Sequence, residues 1–207
     1  MPHRIPVDPE GEVPQEAVDA ILRGAVVAYP TDTLYGLAVD PRQEEAVAQL
    51  RRVKARFQGG GLTLIAASLS QVEAALGPLP PLGRRLADTF WPGPLTVIFV
   101  PAVSLATGIQ APDGSVAVRV PAHALARKLA SAAGFPITAT SANPAGETPA
   151  ATGTEVAELM GDAVALVLEQ PDVLRGAPST IVDIRGAVPA LVRAGVVAWD
   201  RVLQSAR

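Results

Sequence analysis

A chain of 207 residues that is 49% hydrophobic and 18% charged has the apolar content for a packed core and is not a disordered segment. It is too short for two full enzymes, and its formal net charge of −3 gives no global attraction to nucleic acid. With no cysteine it carries neither a disulfide framework nor a thiolate metal site. The N-terminal stretch, polar and rich in proline, lacks the apolar segment of a signal peptide, and no apolar run approaches the roughly 18 residues of a membrane span, so a cytoplasmic protein is expected.

In chain order, Pro14 to Arg23 predicts a helix, with Ala17, Val18, Ile21 and Leu22 on one face and Gly24 closing it. Ala25 to Tyr29 follows as a buried strand. Gln43 to Val53 has helical periodicity, Leu62 to Ala67 reads as a strand, and Ser70 to Leu76 as a short helix capped by Ser70. Pro81 to Phe90 predicts a helix, and Leu95–Val100 and Ser115–Val120 predict strands. A helix over Ala122–Ala133, which His123 helps to begin, precedes a strand ending at Thr140 and a helix over Thr154–Met160. Strands at Ala163–Leu168, Thr180–Ile184 and Ala190–Arg193 complete the pattern, the last two too close for a helical crossover and therefore an antiparallel hairpin. The expected fold is α/β: one domain over 1–207 with its core at about 13–195, a twisted sheet of mixed parallel and antiparallel strands, and helices packed on it.

The chemistry is concentrated in polar clusters within this apolar chain. Lys54 and Arg56 follow a helix, with Arg51 and Arg52 beside them, and such crowding of cations favours an anion; a solvated helix end is the bland alternative. Ser141 and Asn143 follow a strand and offer small donors of the kind a polyphosphate needs, or the groups of a local turn. Thr31, Thr33 and Tyr35 follow the buried strand at Tyr29, where open α/β sheets bind ligands. Arg119 lies in a strand of valine and alanine and needs a carboxylate, from the protein or from a ligand. Arg193 at the end of its strand raises the same question, and Ser179 and Thr180 bring two hydroxyls to a strand entry. Two distant histidines support neither a metal site nor a Ser-His-Asp triad, and no P-loop or dinucleotide-binding motif is present.

Seven motifs, Tyr29-Pro-Thr-Asp-Thr-Leu-Tyr-Gly-Leu37, Lys54-Ala-Arg56, Phe90-Trp-Pro-Gly-Pro-Leu-Thr96, Val118-Arg-Val-Pro121, Thr140-Ser-Ala-Asn143, Pro178-Ser-Thr-Ile-Val-Asp183 and Val192-Arg-Ala-Gly195, come in the order and spacing of the YrdC/Sua5 family. The chain resembles its short, single-domain bacterial members. That resemblance implies a nucleotidyltransferase that joins L-threonine, bicarbonate and ATP into threonylcarbamoyl-AMP with release of pyrophosphate. A partner threonylcarbamoyl-transferase complex then modifies an adenosine of tRNA, and weak double-stranded RNA binding is a further expectation. By the same resemblance Lys54 and Arg56 are catalytic phosphate clamps, assisted by Mg²⁺ that comes with ATP. Ser115, Ser141, Asn143 and Arg193 also hold ATP, while Thr33, Arg119 and Ser179 hold L-threonine.

The chain departs from the family after Arg56, where Phe57-Gln-Gly-Gly-Gly61 replaces a segment carrying two prolines, and where Ile65 and Ala66 stand in place of a histidine or other polar residue. The departure leaves slower turnover, a loop that closes on substrate, and an altered paralogue acting as an RNA-binding or ribosome-associated protein as open readings. A carbamoyl-handling enzyme of the hydrogenase-maturation type is a third, although its zinc-finger and acylphosphatase parts have no counterpart here.

Overall fold

The computed structural model describes residues 1–54, 61–144, 147–174 and 176–207. The first third holds β1 (His3–Pro6), α1 (Gln15–Leu22), β2 (Val27–Tyr29), β3 (Gly36–Ala38), α2 (Glu44–Val53), β4 (Leu64–Ile65) and α3 (Leu69–Leu76). The middle holds α4 (Pro81–Phe90), β5 (Leu95–Phe99), β6 (Val116–Arg119), α5 (Ala124–Ala133), β7 (Ile137–Thr138) and β8 (Thr140–Ser141). Then come α6 (Gly153–Met160), β9 (Leu166–Glu169), β10 (Thr180–Asp183), β11 (Ala190–Arg193) and α7 (Trp199–Ser205).

The α/β class and mixed pairing expected from the sequence are present, but the strands divide between two sheets. One runs β1-β9-β2-β3-β8 and the other β11-β10-β5-β6-β4-β7. The expected single strand through Thr140 is where they meet. Its first half, β7, pairs antiparallel with β4, and its second half, β8, pairs antiparallel with β3. Thr138 stitches the corner: its hydroxyl donates to Leu37 O and accepts from Val39 N, while its carbonyl accepts from the buried Tyr29 hydroxyl at 2.9 Å.

Helix caps follow local chemistry. Ser68, not Ser70, caps α3, accepting from Gln71 N; Ser70 lies inside the helix and exchanges a hydrogen bond with the Ser68 hydroxyl. His123 caps α5 through its Nδ1, and Thr152 caps α6. Pro14 precedes α1, whose buried Ala17, Val18 and Ile21 share one face, and Gly24 at φ 83° turns the chain out of it. The core forms two apolar clusters. The larger packs Leu50, Leu86 and Val202 from α2, α4 and α7 against Leu64, Leu95 and Val118; the smaller packs α1 and α5 against Tyr29, Ile65 and Leu166. Each fully buried leucine there contributes about 1.5–3 kcal/mol relative to exposure.

Strand register sets the site. β5 runs antiparallel to β6 with Val97 opposite Val118, so Thr96 comes beside Arg119 at the carboxyl end of β6. β10 runs parallel to β5 with Thr180 opposite Leu95, which brings Ser179 to the same corner. The expected hairpin of β10 and β11 is antiparallel, with Val182 opposite Leu191. In the other sheet Gly36 opposes Ser141, so the segment after β2 and the end of β8 complete the ring.

Candidate active site

A cavity of about 240 Å³ opens at this corner, and its wall includes Thr33, Arg119, Ser141, Ser179 and Arg193. Five of the nine expected site residues thus come together from five separate segments. Thr31, Thr63, Thr96 and Thr140 add hydroxyls to the same wall. Thr96 and Thr140 lie within the recognised motifs, but a threonine in a strand reads as β propensity, and the residue pairing that turns it inward is invisible to spacing. Tyr35 also lines the cavity, yet its hydroxyl accepts from Gln170 N, so it acts as a structural acceptor and not as the ligand group expected beside Thr31 and Thr33.

At one end Arg119, only 5% exposed, lies 3.3 Å from the Asp32 carboxylate. The carboxylate that the lone strand arginine demanded therefore comes from the protein, 87 positions away in sequence. Thr31 holds the Asp32 turn by donating to Leu34 O and accepting from Thr33 N and Leu34 N. Nearby, Arg193 donates from Nε and Nη2 to Ser179 O and from Nη2 to Ser179 Oγ, which also bonds Thr96 Oγ1 at 2.9 Å. Burial, and then the field of Arg119, draw Arg193 below its ordinary value, and among the described residues no carboxylate pairs with it. Gly195 permits this packing, since a Cβ there would run into the Pro178 carbonyl and the Ser179 backbone.

The other end of the wall is Ser141, backed by Lys54, which caps the end of α2 and, like Asn143, is not itself on the wall. Its ammonium donates to Ser141 O at 2.7 Å, Asn143 O at 2.6 Å and Asn143 Oδ1 at 2.9 Å. All these acceptors are neutral, and burial pulls Lys54 down to about 8. Ser141 Oγ donates to Asn143 Oδ1, and the Asn143 amide donates to Pro144 O and Glu147 O. Lys54, Ser141 and Asn143 thus form one knot, in which the donors expected for a phosphate are spent on the protein in the ligand-free state. Ser115 stands outside the cavity wall, donating to Asp113 Oδ1 at 2.6 Å; its hydroxyl and backbone N–H, with Arg185, hold Asp113 at about 2. Arg56 and the glycines at 59 and 60 lie outside the described residues. Ile65 and Ala66, where the family places a polar residue, are fully buried, and Thr63 is the residue of that segment on the cavity wall.

The family model of Sua5/YciO/YrdC, described as telomere recombination, matches residues 19–195. The chain belongs to the Sua5/YciO/YrdC family. A threonylcarbamoyl-AMP synthase of Chromohalobacter salexigens is 40% identical over 173 residues, covering 82% of this chain and 91% of the relative. One of Marinobacter nauticus is 38% identical over 172 residues, covering 81% and 89%. The structure of P. abyssi Sua5 complexed with L-threonine superposes with a TM-score of 0.88 at 29% identity and covers 99% of this chain, which spans 60% of that Sua5's length. Among the described residues of this Sua5/YciO/YrdC member, no helix is long and apolar enough to cross a membrane.

Proposed function

We propose that this protein is a threonylcarbamoyl-AMP synthase, taking L-threonine, bicarbonate and ATP to threonylcarbamoyl-adenylate and pyrophosphate. The observation that carries the reading is a single cavity whose wall holds both an amino-acid-sized cationic corner, Arg119 with Ser179 and Thr33, and the end of the Lys54–Ser141–Asn143 knot. The relatives named threonylcarbamoyl-AMP synthase and the threonine-bound Sua5 favour it over a non-catalytic RNA-binding paralogue.

In this reading Arg119 takes the threonine carboxylate in a fork, with the Ser179 and Thr33 hydroxyls beside it. The amine condenses with bicarbonate, losing water, to a carbamate that is already a nucleophile. A carbamate oxygen then bonds to the α-phosphorus as the α–β bridge breaks and pyrophosphate leaves. The chain needs only to hold the reactants in line and to neutralise the charge that develops. Lys54, Arg193 and Arg56 supply that positive charge, Ser141 and Asn143 hold phosphate oxygens, and Ser115 lies toward the nucleoside. Among the described residues no three His, Cys, Asp or Glu side chains group to hold an ion, and we take Mg²⁺ to arrive on the triphosphate as part of the substrate. The product would pass to a threonylcarbamoyl-transferase complex acting on tRNA, in the cytoplasm. Incubating the pure protein with ATP, L-threonine and bicarbonate and analysing the products by mass spectrometry tests the reading. Threonine-dependent threonylcarbamoyl-AMP is expected; pyrophosphate release independent of threonine, or no adduct, would refute it.

A further inference from the structure

Asp32 is unlike the other acidic groups of the molecule. Its side chain is 15% exposed, its Oδ1 is buried without a hydrogen bond among the described residues, and its link to Arg119 is long, 3.3 Å to Oδ1 and 3.4 Å to Oδ2, through Nη1 alone. Asp40, by contrast, accepts four hydrogen bonds from Arg42 and Gln43 at short range, as Asp183 does from Arg185. A buried carboxylate with an unsatisfied oxygen and a loose counter-ion is costly to keep, and such costs concentrate where a ligand completes the set. The turn that carries Asp32 is hydrogen-bonded through Thr31 to Thr33 and Leu34. Thr31 and Thr33, its neighbours on either side, line the cavity, whereas Asp32 itself meets the site through Arg119, and Gly176 lies so close over it that a Cβ would sit 2.5 Å from the Asp32 carbonyl.

Resting on the amino-acid reading of this cavity, we infer that Asp32 is the specificity-determining residue that restricts the Arg119 corner to zwitterionic α-amino acids. In the ligand-free protein the Arg119–Asp32 pair is neutral. A simple carboxylate that settles on the guanidinium places a second negative charge against Asp32, around one cation and in a poorly hydrated corner. An α-amino acid brings its own ammonium within one bond of the carbon that carries its carboxylate, so the four charges balance. Asp32 thereby rejects hydroxy acids, phosphate and bicarbonate from the amino-acid position and keeps them for the rest of the cavity, where Arg193 has no carboxylate partner among the described residues.

The test is calorimetric titration with L-threonine and with 3-hydroxybutanoate, the same skeleton without the amine, in the presence of a non-hydrolysable ATP analogue. The wild-type protein is expected to prefer threonine by about tenfold or more, the scale of one like-charge contact in a partly buried site. In Asp32→Asn that preference collapses from both sides, with threonine binding more weakly and 3-hydroxybutanoate more tightly. A merely structural role would weaken both together and leave their ratio unchanged, and that result overturns the inference. Should Asp32→Asn fail to fold, Asp32→Ser offers the same comparison, and equal wild-type affinities for the two compounds overturn it without any variant. Wild-type protein that binds no threonine refutes the amino-acid reading and the inference together, whereas threonine binding with an unchanged ratio refutes the inference alone.

Discussion

Two buried cations serve the cavity and are compensated in opposite ways. Arg119, 5% exposed, faces a carboxylate; Lys54, 3% exposed, faces four neutral oxygens of Ser141 and Asn143. Neutral acceptors satisfy the ammonium's hydrogen bonds but return less of the hydration energy of its charge than a carboxylate does, so only the charge of Arg119 is balanced within the fold. Lys54 is accordingly drawn to about 8, while its positive charge remains available to an arriving anion. One end of the site is a cation balanced by a carboxylate of the protein and suited to selection, the other a reserve of charge suited to phosphate.

The sharpest way to break this contrast is to remove each cation in turn. Arg119→Ala leaves Asp32 uncompensated and is expected to cost about 3–5 kcal/mol of stability, with loss of threonine-dependent turnover, as read by denaturant titration and pyrophosphate release. Lys54→Met is expected to lower turnover about 10²–10³-fold while costing far less stability, because the buried charge it deletes was itself a burden. Equal stability losses in the two variants would contradict the distinction.

Proton linkage gives a second, smaller effect. The folded value of Lys54, about 8, lies below the ordinary lysine value of 10.5, so the unfolded chain binds more protons between them. This group therefore adds stability as pH rises from about 8 to 10.5, an increment that Lys54→Met should lack. ATP affinity should move the other way, declining as pH rises through about 8, since the ammonium that meets the phosphates is lost. Calorimetry across that range checks both signs. The smallest effect is expected at Ser115, which lies off the cavity wall: Ser115→Ala should raise KM for ATP a few-fold, the scale of one hydrogen bond, and leave threonine affinity unchanged.

Much of this was legible in the chain. Six of the helices and most of the strands follow from apolar periodicity, and the polar segments that build the cavity are visible as motifs. What spacing could not carry is pairing between distant segments. Pro136 to Thr140 reads as one strand, yet its two halves belong to different sheets, because the switch is made by the Thr138 side chain and its contacts with Leu37 and Val39. Arg119 announced its need for a carboxylate, but Asp32 reads as a turn residue between two threonines until the sheets bring them together. The amide of Asn143 looked like a free donor and is engaged by two carbonyls. β1, β3 and α7 are not legible in the sequence, because a four-residue, largely exposed strand, a three-residue strand inside a motif and a seven-residue helix with one buried residue carry little periodicity.

In the proposed function one cavity binds an amino acid at Arg119 and a triphosphate at the Lys54 end. A crystal structure with L-threonine and a non-hydrolysable ATP analogue tests it most directly. It should show the threonine carboxylate on the Arg119 guanidinium and phosphate oxygens against Ser141 and Lys54. Either ligand bound elsewhere, with these side chains turned toward solvent, would contradict it.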